Sequence, residues 1–360
     1  MTKLEIITDG FWGSGGKGAV AAYLARGDRD IALVRVAGPN AGHSAVGVLD
    51  GKVFAACTVP VAAVTNLTAP LIIAAGSEVE PVRLAYELDL LDSAGYNASG
   101  RLTIDASATY MGPEYAKKEQ ADGMWERLGS TAHGIGEARA ARIMRTALTW
   151  GQALEQHPEL KARYSANTKE RTDLVLMQRL REGGDVLLEC TQGAHLSLHG
   201  KYYPYATSSD CVAINFVAMT GITPWAIPNL DIDTYLALRA NPIRVAGNSG
   251  PMPDEVTWEI LAAESGGYIK PEITTVTRRT RRVSRWNTEL AVEAIEMNGG
   301  PTVVKPVITF FDYIFPALAG TSDPAVLTEE HWAKIDWFEK ELGVRPVMLG
   351  TGPGSMIDLR

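Results

Sequence analysis

Cysteine is scarce: Cys57, Cys190 and Cys211 are widely spaced and form no C-x-x-C pair. That pattern suits a reduced, cytoplasmic compartment. Positive charge is also in short supply, with a formal net charge of −8. This counts against a chain that coats nucleic acid, because such affinity rests largely on neutralising phosphates. Local basic clusters can still hold small anions. No apolar run reaches the ~20 residues that span a bilayer, so no membrane association is expected. The opening "MTKLEIITDG" runs straight into a strand, so no signal peptide is expected. Internal repeats, low-complexity tracts and composition shifts are absent as well. Residues 1–360 are therefore read as a single domain with long inserted loops.

What is present is ample apolar material, 46% of the residues, arranged as short buried runs alternating with longer amphipathic ones. That alternation predicts an α/β fold: a doubly wound, mainly parallel sheet with helices on both faces. Expected strands are Leu4–Thr8, Ile31–Val36, Leu71–Ala74, Asp185–Leu188, Tyr235–Leu238 and Val303–Phe311, with a last one in "RPVMLGTGPG". Helices are expected at 19–26, 80–94, 136–156, 168–182, 287–298 and 329–342. "AGNSGPMPDE" (246–255) reads as a surface loop, and Glu255, Trp258 and Glu259 as one exposed helical face.

The densest signal is "DGFWGSGGKG" (9–18), a glycine-rich loop between a strand and a helix. Such a loop surrounds an anion with backbone N–H groups and a helix N-terminus. It is not a P-loop: Lys17 is followed by Gly18, and Phe11 stands six residues before the lysine. Gly13, Gly15 and Gly18 match G-x-G-x-x-G, yet the next strand ends at Val36-Ala37-Gly38 with no acid for a ribose. A dinucleotide oxidoreductase therefore ranks low. "AGPNAGHS" (37–44) follows that second strand and belongs beside the first loop, at the carboxyl edge where α/β ligands bind. Its His43 is suited to general acid work near neutrality.

Together, "FWGSGGKG" and "GPNAGHS" resemble the paired signature loops of the adenylosuccinate synthetase family. "GSTAHGIGEARAAR" (129–142), "LLECTQGAHLSLHGKYYPYATSS" (187–209), "TTVTRRTRRVSRW" (274–286) and "GTGPG" (350–354) are similar to further family blocks, in the family's order. The resemblance implies a P-loop-related α/β ligase that uses Mg²⁺. A nucleoside triphosphate phosphorylates purine O6, and the amine of aspartate then displaces phosphate. It implies His43 as catalytic acid and Lys17 as a further catalytic residue, which holds the donor phosphates together with Gly13, Gly15, Gly16 and Gly18. Gly42 would give a carbonyl to the metal. Asn40, Ser130, Thr131, Gln192 and Thr207 would bind the acceptor nucleotide. Arg142 would reach across a homodimer to its phosphate, with Arg139 as a substitute. Thr277, Arg279 and Arg281 would hold aspartate by charge-assisted forks. Asp312, Gly350, Gly352 and Pro353 would line the donor base.

Two departures bear on substrate. Ser14 stands where the family has an aspartate that takes the N1 proton and helps hold Mg²⁺; here Ser14 is assigned to the acceptor base, the catalytic set and the metal. A shorter side chain leaves room for the 2-amino group of guanine and can accept a hydrogen bond from it. The pattern resembles the phage-type branch, which turns dGMP and aspartate into 2-amino-N6-succinyl-dAMP on the way to diaminopurine DNA; the location is then a host's cytoplasm. The N1 base is left unassigned, with Asp9 or water as options. In the second departure, Phe310-Phe311-Asp312 replaces the family's Lys-x-Asp, and Gly354 replaces an acid, so ATP or dATP is expected as donor. Phe310 and Phe311 either stack on a purine or fill core. The expected partners are thus dGMP, L-aspartate and ATP or dATP, with no nucleic acid. The rivals are an ordinary adenylosuccinate synthetase acting on IMP with GTP, and a non-catalytic nucleotide sensor. His195 and His199, four apart, lack a third ligand for a metal.

Overall fold

Strand segments such as "IALVRV" are buried at every position, which only a sheet covered on both faces allows. The computed structural model describes residues 2–273 and 279–360 and builds ten strands, the central ones of this kind, into one sheet. In chain order they are β1 Lys3–Asp9, β2 Ile31–Val36, β3 Leu71–Ile73, β4 Leu102–Asp105, β5 Thr168–Lys169, β6 Asp185–Cys190, β7 Asp231–Arg239, β8 Val304–Thr309, β9 Met348–Gly352 and β10 Ser355–Asp358. Their spatial order is β10-β9-β8-β7-β1-β6-β2-β3-β4-β5. Every pairing is parallel except β9 with β10.

Alternate side chains feed opposite faces. Ile7, Leu33, Leu71 and Leu187 pack with the helix Lys17–Ala25 on one side. Leu4, Ile6, Val34 and Leu188 pack with Leu176, Leu180 and Phe216 on the other. At roughly 25 cal/mol per Å² this two-sided burial is the main stabilising contribution. The chain runs outward from β1 through β2 to β5, returns at β6, and continues on β1's other flank with β7. The carboxyl ends of β1, β2, β6, β7 and β8 thus converge around that reversal, where ligand sites form in sheets of this kind.

The structure corrects several sequence expectations. The helix expected at 136–156 is two, Ile135–Ile143 and Trp150–Gln156, separated by Arg145 at φ 63° and restarted by a Thr149/Gln152 capping box. The helix expected at 168–182 begins only at Thr172, because Thr168–Lys169 is an edge strand. A hairpin, His43–Val46 with Val53–Ala56, was not expected. Nor were β4 and β10. Trp258 is buried with Ile243 and Val283 rather than exposed, and Glu255 lies on a short strand, not on the helix. No helix among the described residues is long and apolar enough to cross a membrane.

Candidate active site

The first loop is organised by a buried carboxylate at the end of β1. Asp9 accepts hydrogen bonds from the N–H groups of Phe11 (2.9 Å), Gly13 (3.3 Å) and Gly15 (2.7 Å). Lys17 donates to Asp9 (3.2 Å) and to the Gln192 carbonyl (2.7 Å). Asp9 is therefore fully engaged beneath the loop and is not turned outward as a base. Gly15 differs from its expected role as well. Its N–H points to Asp9, a side chain there would collide with that carboxylate, and it does not line the cavity. Gly13, Gly16, Lys17 and Gly18 do line it. Gly16, at φ 84°, opens the helix that starts at Lys17, leaving that helix's first N–H groups for an anion.

These residues wall one end of a cleft of about 870 Å³ across the carboxyl edge of the sheet. His43 lines it and is anchored from behind. In-register neighbours Arg35 on β2 and Glu189 on β6 form a buried ion pair of 2.8 Å. Nδ1 of His43 lies 2.7 Å from Glu189 Oε1 and 2.7 Å from Arg35 Nη1. It cannot accept from one and donate to the other at once. Glu189 is held in its ionised form, below the usual range despite its burial, chiefly by the Arg35 charge. We therefore assign the ring proton to Nδ1, donated to Glu189. Burial and then the Arg35 charge lower the His43 pKa to about 4. Unfolded chains take up that proton near pH 6.5. Stability should thus fall as pH drops from about 6.5 to about 4, by up to roughly 3 kcal/mol. Urea unfolding of wild type and His43→Asn across that window checks this: the variant should lose most of the slope.

Asn40, Ser130, Thr131, Gln192 and Thr207 all reach the cleft. Ser130 is bound to the buried Glu119, which also accepts from the Gly134 N–H. Arg142 lies outside the cleft, exposed and bound to the Ser107 carbonyl (2.9 Å). Arg139 is tied to Glu78 through two bonds (2.7 and 3.2 Å) and is not available as its substitute.

Ser14 is exposed to the cleft at φ 57°. Its hydroxyl oxygen accepts from Arg281 (3.0 Å), and its carbonyl accepts from Arg239 (3.0 Å). Arg239 also pairs with Glu272 and lies 3.6 Å over the Phe310 ring. Arg279 sits over Trp125 (4.5 Å) and is not part of the cleft wall. Thr277 lies outside the described residues. Gly350, Gly352, Pro353, Asp312 and Phe310 close the far end. Phe311 is instead fully buried in core, the bland alternative for that residue.

Among the described residues no group of three or more His, Cys, Asp or Glu could hold a metal. His195 and His199 are committed elsewhere, to Leu290 O and Asp210. Gly42 and Ser14 both border the cleft.

The adenylosuccinate synthetase family model matches residues 6–175 and 166–313. The chain belongs to the adenylosuccinate synthetase family. An adenylosuccinate synthetase of Methanococcus maripaludis is 32% identical over 359 residues, covering 99% of this chain and 98% of its own. One from Thermococcus sibiricus is 32% identical over 361 residues, with the same coverage of both chains. Among solved structures, the succinoaminodeoxyadenylate synthetase (PurZ) of cyanophage S-2L, bound to dGMP and dATP, superposes with TM-score 0.78 at 26% identity, covering 100% of this chain and 96% of that one. A fully ligated adenylosuccinate synthetase of Plasmodium falciparum matches at TM-score 0.80 and 18% identity over 99% of both chains.

As an adenylosuccinate synthetase family member, the chain is a C–N bond-forming ligase. Five charged residues in or behind the cleft escaped the sequence reading: Asp9 as loop anchor, Arg35 and Glu189 behind His43, and Arg239 with Glu272 beside Ser14. The available signal was a charge inside an apolar strand run, as in "IALVRV" and "DVLLEC". A buried charge must be paired, so two such strands point to each other.

Proposed function

We propose that this ligase condenses L-aspartate with dGMP, using ATP or dATP, to give 2-amino-N6-succinyl-dAMP. The observation that carries the reading is Ser14 on the cleft wall in place of the family's acid. Its hydroxyl already accepts from Arg281, which leaves one further lone pair for an exocyclic amine. PurZ of cyanophage S-2L, solved with dGMP and dATP, supports this choice. The 32% identity to archaeal adenylosuccinate synthetases favours the second reading, IMP with GTP, since it exceeds the 26% shared with PurZ.

In the proposed reaction O6 of the acceptor takes the γ-phosphoryl group and the nucleoside diphosphate leaves. The aspartate amine then adds at C6 and phosphate departs. N1 of the acceptor loses its proton as O6 is phosphorylated, and Nε2 of His43, backed by Glu189 at Nδ1, can take up that proton and offset the arriving phosphoryl charge. Arg281 turns from Ser14 to the aspartate carboxylates. Mg²⁺ would arrive with the nucleotide's phosphates and be held by the Gly42 carbonyl and, on the lone pair freed when Arg281 turns away, by the Ser14 hydroxyl; it would spread the developing phosphoryl charge. A second copy of the chain would cover the exposed Ile143 and Met144 and take up Arg142.

The test crosses IMP, GMP, dGMP and dIMP with ATP, dATP and GTP, following aspartate-dependent phosphate release. Turnover confined to IMP with GTP overturns the proposal. Ser14→Asp should lower kcat/KM for dGMP at least roughly tenfold more than for IMP. Equal loss on both acceptors would show that side-chain size at this position does not select the base. The aspartate KM, followed alongside, reports any capture of Arg281 by the new carboxylate.

A further inference from the structure

Asp312 lies at the donor end of the cleft, 5% exposed, with its two carboxylate oxygens in unequal states. Oδ2 accepts from the Tyr268 hydroxyl at 2.6 Å. Oδ1 is buried and has no hydrogen-bond partner. An unsatisfied buried acceptor is costly, and a ligand N–H removes that cost. Tyr268 is not itself on the cleft wall. It approaches from behind, edge-on to Tyr313 (6.2 Å), and the Tyr313 hydroxyl is fixed in turn by Glu272 (3.0 Å). The phenol therefore has a defined place and a single evident task.

That task bears on which purine the carboxylate can read. Guanine presents two adjacent donors, N1–H and the 2-amino group, which a carboxylate with both oxygens available grips in parallel. Adenine presents one donor, the 6-amino group, beside an N1 acceptor. We infer that Tyr268 is a specificity-determining residue that caps Oδ2 of Asp312, leaves a one-oxygen acceptor, and so selects an adenine over a guanine nucleoside triphosphate as phosphoryl donor. The inference rests on the donor half of the proposed function and supplies its physical cause. Phe310 acts in the same direction: its ring carries the Arg239 guanidinium at 3.6 Å and puts no cation of its own at this end of the cleft.

The experiment uses the full chain with dGMP and L-aspartate and compares kcat/KM for ATP, GTP and ITP in wild type and Tyr268→Phe. Phenylalanine keeps the ring on Tyr313 and frees Oδ2. The GTP/ATP ratio should rise about tenfold, the worth of one hydrogen bond. ITP, which lacks the 2-amino group, should gain less than GTP, a difference that a general loosening of the site would not produce. An unchanged ratio in a variant that still turns over ATP overturns the role of Tyr268 and leaves the donor reading intact. A wild type that prefers GTP overturns the donor reading itself. If the phenylalanine variant does not fold, Tyr268→Met carries the same comparison.

Discussion

His43→Asn should lower kcat by about a thousandfold while the KM values for aspartate and nucleotide change little. General acid groups contribute roughly 10²- to 10⁴-fold, and this ring borders the cleft with a buried ion pair behind it. Arg35, Glu189 and the Val61 N–H (2.9 Å to Glu189) hold the ring by one nitrogen alone. Asparagine keeps a hydrogen-bonding group near Glu189 but cannot deliver a proton. Steady-state phosphate release measures the loss, and single-turnover quenching assigns it to the phosphoryl step. Glu189→Gln should fall between wild type and His43→Asn, because an amide cannot stabilise the protonated imidazole. A His43→Asn enzyme that retained a tenth of wild-type kcat would remove the residue from the chemistry.

Asp9→Ala should cost about 3–5 kcal/mol of stability, the range for breaking one side of a buried charge pair. The loss would leave Lys17 buried beside the Gln192 carbonyl, with three loop N–H groups unpartnered. Activity should fall with it even where the variant is folded, because the loop's geometry depends on that carboxylate. Asp9→Asn should be milder, since the amide oxygen still accepts from the Phe11 and Gly13 N–H groups, while its nitrogen opposes the Gly15 N–H and Lys17. Denaturant unfolding at pH 7 ranks the three proteins. A stability for Asp9→Ala within 1 kcal/mol of wild type, the size of an ordinary surface change, would mean that the loop does not rely on Asp9.

The strands that carry the site were legible because burial on both faces leaves apolar runs that nothing else produces; β1, β2, β6, β7 and β8 were all expected within a few residues. β5 was not, because two residues at a sheet edge carry no periodicity. The break at 144–149 hid in helix-forming residues, where a left-handed Arg145 overrides propensity. Among residues that line the cleft, Gly13, Gly16, Gly18, Asn40, His43, Ser130, Thr131, Gln192 and Arg281 could be named from motif resemblance. Asp9, Arg35 and Glu189 could not, since their roles come from register between strands distant in sequence: Arg35 and Glu189 are 154 residues apart. The role that motif resemblance gives Arg142 is not visible in the single chain, where its guanidinium is exposed and bound to the Ser107 carbonyl.

A loop already knotted around its own carboxylate has a consequence for the order of events. The loop is shaped when the chain folds, so under the proposed function an arriving triphosphate would spend little of its affinity on arranging it. Encounter at this end should behave like docking into a fixed mould, with association rates for the donor indifferent to whether acceptor or aspartate has come first.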